Sequence, residues 1–208
     1  MKFERLVELA GDLHCFSPGM VSAGEALKQV RVQLSRWVRN GRLLRICKGW
    51  YTLNEPYRRV RIDMNVVAST VKAGSYVSLH AALATHGMIP EYVAETTCVT
   101  TGRPGTIDSP FGRIRYRHIK KGLFFGYSRV ERGLQHSVVA TGEKALLDLV
   151  YLTPGSDDPD YIRGLRLQDI DNLDTDALWR MARRFALPRM ERAVDIISHV
   201  AEEGVAAR

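Results

Sequence analysis

The apolar residues Leu27, Val30, Leu34, Trp37 and Val38 fall at spacings of three and four, which lays one continuous stripe along a helix from Ala26 to Arg39. The opposite side carries Lys28, Gln29, Arg31, Gln33, Ser35, Arg36 and Arg39. Asn40-Gly41 predicts where the helix ends, because glycine accepts the left-handed cap conformation. Two short strand-like runs follow, Leu43-Leu44-Arg45-Ile46 and Trp50-Tyr51-Thr52-Leu53. They flank Cys47-Lys48-Gly49 and predict a small β-hairpin with a basic tip. Upstream, Phe3, Leu6, Val7, Ala10 and Leu13 form another amphipathic stripe, and Ser17-Pro18 suits the N-cap and first turn of a short second helix. Helix, short helix, turn at Gly24-Glu25, long basic helix and hairpin is the order of a winged helix-turn-helix, predicted over residues 1–55. In that motif the helix from Ala26 enters the major groove and the hairpin lies over the flanking backbone. Trp37 and Trp50 are expected to pack the helix stripe and the hairpin rather than to stack on bases.

The polar, basic stretch around Glu55 to Arg61 predicts a linker, residues 56–62, to a second unit over 63–208. Helices are expected at Met64 to Val71 and Val77 to His86, the second capped by Ser75 or Ser78 and ended by Gly87 with Pro90 beyond. The period then changes to two. Thr96 to Thr101 reads as a strand punctuated by Arg103-Pro104-Gly105. Arg113 to Ile119 alternates so that Arg113, Arg115 and Arg117 share one face, with Lys120 and Lys121 directly after. Leu123 to Tyr127 and His136 to Ala140 are further strand candidates, and a helix to Leu152 begins at Gly142 or Glu143. From Asp157 to Asp176 there are seven aspartates against Arg163 and Arg166, read as a solvated connector that could also shield a basic surface or receive a basic partner. Two helices, Thr175 to Ala186 and Arg189 to Glu203, close the chain on either side of Pro188. The expected fold class is α+β: a winged helix-turn-helix, then a mixed α/β domain with a small, largely antiparallel sheet and C-terminal helices.

Charge sharpens the reading of the first unit. Between Ala26 and Arg61 ten Lys or Arg face one acid, Glu55, a balance of +9 in a chain whose formal charge is +7. Everything else therefore sums to −2, so the basicity is local, and a concentrated positive field suits a polyanion. Arg and Gln on the helix can read guanine and adenine edges, while Arg45 and Lys48 on the hairpin can meet the backbone. No run approaches the roughly 18 apolar residues of a membrane span, and Met1-Lys2-Phe3-Glu4 does not open a signal peptide. Cys15, Cys47 and Cys98 are odd in number and widely spaced, which suits reduced thiols of a cytoplasmic protein without a zinc site. No cofactor or membrane partner is expected.

Catalytic constellations are absent from the pattern. Glu143-Lys144 with Asp108 departs from the Glu-x-Lys of restriction-like nucleases, because Glu and Lys are contiguous at a helix start, where Lys144 can pair with Asp148 one turn on. Gly155-Ser156 before Asp158-Pro159-Asp160 is too compressed for a nucleotidyltransferase metal site. His80 and His86 lie off one helical face, and Ser78 with His80 does not make a hydrolase dyad.

The line Val38-Arg39-Asn40-Gly41-Arg42-Leu43-Leu44-Arg45 through Lys48-Gly49-Trp50-Tyr51 resembles the winged-helix head of AbiE-type (abortive infection) antitoxins. Tyr76 to Leu83 with His86-Gly87-Met88-Ile89-Pro90, then Val99-Thr100-Thr101, Phe111-Gly112 and Ala140 to Leu149, resemble later segments of that family in the same order, up to about residue 152. The resemblance implies a transcriptional autoregulator and antitoxin, binding double-stranded operator DNA through its first unit and countering a nucleotidyltransferase-like toxin encoded beside it. It implies no enzyme activity. The other class open to the sequence is an RNA-binding or protein-interaction module working through Arg113, Arg115, Arg117, Lys120 and Lys121. Those positions could equally be the solvent face of an edge hairpin, where positive charge deters strand pairing.

Overall fold

A computed structural model describes residues 1–90, 93–169 and 173–206. Helices α1 (Phe3–Ala10) and α2 (Leu27–Arg39) precede an antiparallel hairpin of β1 (Leu43–Cys47) and β2 (Trp50–Leu53). α2 ends as its sequence requires. Gly41 takes φ +70°, its N–H donates to Val38 O at 3.1 Å and the Arg42 N–H reaches back to Trp37 O at 2.9 Å, which is a Schellman closure. The short second helix expected from Ser17-Pro18 is not formed. Residues 18–21 and 23–24 run as turns instead, and Phe16 bridges to Tyr51 through paired backbone bonds of 2.8 and 2.9 Å, adding a third edge to the hairpin. Phe3, Leu6, Ala10, Phe16, Val21, Val30, Leu34, Leu43, Tyr51 and Leu53 close a small core of their own.

The expected linker is not a free segment. Tyr57 stacks edge-on against Phe3, the Arg58 guanidinium donates to Val60 O and lies over the Phe111 ring, and Arg59 pairs with Asp12 at 2.9 Å. Gln135 then clamps the two units. Its carbonyl oxygen accepts from the His14 N–H at 2.6 Å and its amide donates to Cys15 O at 2.8 Å. Cys15 and Ile46 belong to the larger core, so the hairpin and the second unit share packing.

The second unit runs α3 (Met64–Val71), β3 (Ser75–Val77), α4 (Leu79–Thr85), β4 (Glu95–Thr100), β5 (Gly105–Ser109), β6 (Gly112–His118), a 3₁₀ turn (Lys121–Leu123), β7 (Tyr127–Arg132), β8 (Gln135–Ala140), α5 (Gly142–Leu152), α6 (Pro159–Gly164), α7 (Thr175–Arg183) and α8 (Pro188–Ala206). Its sheet corrects the expectation of a small, largely antiparallel one. Six strands lie in the order β5-β6-β4-β3-β8-β7, with β4–β6 and β3–β8 parallel and the other neighbours antiparallel. The chain is thus mixed α/β with one small antiparallel sheet and one larger mixed sheet.

Local differences have physical causes. Val77 ends a strand rather than starting a helix, because a fully buried three-residue strand is too short to show a period of two. The expected strand Leu123 to Tyr127 breaks at Gly126, which takes φ +73°. A Cβ there would sit 3.0 Å from Lys144 Cγ. In the acidic connector Asp158 caps α6, accepting from the Asp160 and Tyr161 N–H groups at 2.9 and 3.3 Å, and Asp174 caps α7. Asp157 pairs with Arg192 at 3.0 Å. These aspartates start helices and tie the tail rather than form a solvated loop; Asp171 of the same run lies outside the described residues.

Candidate nucleic-acid interface

The interface is built on the outer side of α2. Val30 and Leu34 are buried against α1 and the hairpin, which turns Lys28, Gln29, Arg31, Ser35, Arg36 and Arg39 outward and exposed. Among the described residues Lys28, Arg31, Arg36 and Arg39 have no ion-pair partner; Glu25, the acid just ahead of the helix, is taken by the Met1 amino group at 2.6 Å. Cations left unneutralised on one helix face can all be spent on an external polyanion. The Ser35 hydroxyl is committed to Arg31 O at 2.9 Å, a back-bond that leaves it little to offer a ligand.

Three placements differ from the sequence reading. Gln33 sits at the flank of the face, and its side-chain oxygen is buried without a partner among the described residues. Leu27, assigned to the buried stripe, is the first residue of α2 and is 45% exposed, outside the set of residues that close the small core. Val32, which the sequence pattern did not single out, stands 48% exposed. The hairpin sets Arg45 and Lys48 on its exposed side, with Arg45 Nε donating to Cys47 O at 3.3 Å. Arg42, also passed over, lies exposed with its guanidinium over the Phe3 ring at 4.7 Å.

The second basic patch has a different character. Arg113 pairs with Asp108 at 2.7 Å, and that bond and charge push its guanidinium pKa upward. Arg115 pairs with Glu95 at 2.8 Å. Arg117 donates to Leu152 O at the end of α5, and its partial burial with Arg115 nearby lowers its pKa. Lys120 and Lys121 alone of this set are exposed and without a partner among the described residues.

The residues weighed for catalysis are occupied structurally. Lys144 and Asp148 form an ion pair with both side chains fully buried. Tyr76 and Ser78 donate to Asp148 at 2.9 and 2.8 Å, while the Lys144 ammonium lies 5.0 to 5.5 Å from the ring centres of Tyr76, Phe125 and Phe185. Burial pushes the Lys144 pKa down and the Asp148 pKa up. Glu143 accepts from the Asp174 N–H at 3.1 Å. Burial pushes the Cys15 thiol up to about 12 and raises Cys98 and Cys47 as well, which keeps these thiols protonated and unreactive. Among the described residues no three His, Cys, Asp or Glu gather as a metal site, and no helix is long and apolar enough to cross a membrane.

No family model matches the chain, and no curated protein sequence matches it. Its fold is similar to the crystal structure of the RV2827C protein from Mycobacterium tuberculosis, with a TM-score of 0.54 at 13% identity, over 93% of this chain and 76% of that one.

Proposed function

We propose that this chain is a DNA-binding transcriptional autoregulator and the antitoxin of a toxin-antitoxin pair, acting through a winged-helix unit at its N-terminus. The observation that carries the reading is the outer face of α2, where four cations stand exposed and unpaired among the described residues. Helix α1, the turns that replace a second helix, α2 and a hairpin joined by the Phe16 bridge are compatible with a winged helix whose second helix has been reduced to turns. In this reading α2 enters the major groove and Arg45 and Lys48 ride the flanking backbone. The resemblance of the chain to AbiE-type antitoxins extends the reading to a nucleotidyltransferase-like toxin encoded beside it. The Arg113 to Lys121 face has less support as an RNA or protein site, because two of its arginines are already ion-paired and a third caps α5.

The test is a titration of the full chain against a labelled duplex from directly upstream of its gene, with a scrambled duplex as competitor, at several salt concentrations. Binding should resist the competitor and weaken with salt. If Lys28, Arg31, Arg36, Arg39, Arg45 and Lys48 each meet a phosphate, the slope of log K against log salt is about −5. Binding that the scrambled duplex removes at equal concentration would overturn the sequence-specific reading. Growth arrest by the neighbouring gene expressed alone, relieved when this chain is co-expressed, tests the antitoxin half; arrest that co-expression does not relieve overturns it.

A further inference from the structure

We infer that Val32 is a specificity-determining residue of this face, reading the C5-methyl group of a thymine in the major groove; the inference rests on the DNA-binding reading above. Val32 is 48% exposed, and residues three and four away on the helix surface, Lys28, Gln29, Ser35 and Arg36, are all polar. It therefore stands as an apolar island inside a ring that carries two of the unpaired cations. Nothing in the fold asks for it. A β-branched residue at an exposed helical position is a poorer helix former than alanine, and Val32 is not among the residues that close the small core. Isolated exposed apolar residues are common on any surface. Val32, however, is exposed within the cationic face itself, between Lys28 and Arg36. Of six large hydrophobics exposed among the described residues, Met20, Leu27 and Val32 fall on α2 or the turns leading into it.

The chemistry that fits an apolar group ringed by cations is a duplex groove, where phosphates meet Lys28 and Arg36 and the one apolar feature on the base edges is the thymine methyl. A protein partner would meet the same cations with carboxylates and would be indifferent to the methyl content of a duplex. Deoxyuridine in place of thymidine keeps every hydrogen-bonding group and removes only that methyl. Burying one methyl is worth roughly a three- to fivefold gain in affinity.

The experiment compares the full chain and its Val32→Ala variant on the upstream duplex made with thymidine and with deoxyuridine. The wild type should bind the deoxyuridine duplex about three- to fivefold more weakly. Val32→Ala should bind the thymidine duplex more weakly by a similar factor and be nearly indifferent to the exchange. Val32→Thr, which keeps one methyl at the same place, should retain part of the discrimination. Equal wild-type affinity for the two duplexes, or full methyl sensitivity surviving in Val32→Ala, overturns the inference while leaving DNA binding intact. Failure of the wild type to hold the thymidine duplex against scrambled competitor overturns the DNA reading and this inference together.

Discussion

Helix α2 and strand β6 each present a line of arginines to solvent, and the two lines are not equivalent. On β6, Arg113 and Arg115 end on Asp108 and Glu95, and Arg117 ends on a helix carbonyl. On α2, Arg31, Arg36 and Arg39 have no ion-pair partner among the described residues. A paired surface cation adds little to stability and has little left for a ligand, whereas an unpaired one gives up no protein partner on meeting a phosphate. Counting charges would rank the two faces together; their partners separate them. The extreme of the paired class is Lys144, which the larger unit holds without solvent contact against Asp148.

The largest expected effect tests whether cations in the larger unit are structural. Asp148→Asn leaves the Lys144 charge buried and unbalanced, and should cost about 3 to 5 kcal/mol in urea unfolding. Lys144→Met added to it should recover much of that loss, because the amide oxygen that replaces the carboxylate would still accept from Tyr76 and Ser78 while no charge remains. An Asp148→Asn protein within about 1 kcal/mol of wild type would mean that the pair is not held in its charged form. Next in size, Arg36→Ala should weaken binding to the upstream duplex by about 1 to 3 kcal/mol if it touches a base edge, or flatten the salt slope by about one if it touches phosphate. Its stability should stay within about 0.5 kcal/mol. Loss of folding instead of binding would break the contrast between the two faces.

Alkaline pH tests the larger core in another way. Cys15, Cys98, Tyr76 and Tyr116 all belong to the larger core, and burial raises all four pKa values. The unfolded chain releases these protons from 9.0 for the thiols and 10.0 for the phenols, while the folded chain still holds them. Stability is therefore fully present below pH 9 and falls as pH rises above it, toward about 12 for Cys15. Each thiol should remove on the order of 1 kcal/mol by pH 10. Lys144 opposes this, since its lowered pKa makes its contribution rise with pH up to 10.5. Thermal unfolding at pH 8 and pH 10 checks the sum, and Cys15→Ala with Cys98→Ala should flatten the dependence. An unchanged slope in that variant would remove the thiols from the account.

The first unit was the more legible in sequence. Its α2 stripe, the Asn40-Gly41 stop and the Lys48-Gly49 turn are local signals, settled by periodicity and a left-handed glycine at each turn. The larger unit was less so, because its sheet is assembled from partners far apart in the chain. β3 pairs with β8, and β4 with β6, through registers no local pattern encodes. The strand β5 was missed because Gly105-Thr106-Ile107-Asp108-Ser109 reads as turn-rich, yet pairing with β6 makes it an edge strand. Lys144 with Asp148 was visible as an i, i+4 pair, but its burial depended on Tyr76, Phe125 and Phe185 arriving from three other segments. At the candidate site the same division holds. The outward cations followed from the helix period, but whether each had a partner depended on tertiary neighbours, which is why the β6 arginines read as a binding patch.

The smallest expected effect therefore falls on Arg115. Its pair with Glu95 is half exposed on the arginine side, so Arg115→Gln should cost only about 0.2 to 1 kcal/mol of stability. It should change affinity for the upstream duplex by less than about twofold, because a cation already held by a carboxylate gives up that contact on moving to a phosphate. Measured beside Arg36→Ala under the same salt, Arg115→Gln isolates pairing as the variable, since both positions carry an exposed arginine. A tenfold loss of binding in Arg115→Gln would place β6 on the contact surface, and the Glu95 pair would then be a latch that DNA displaces rather than a partner that retires the charge.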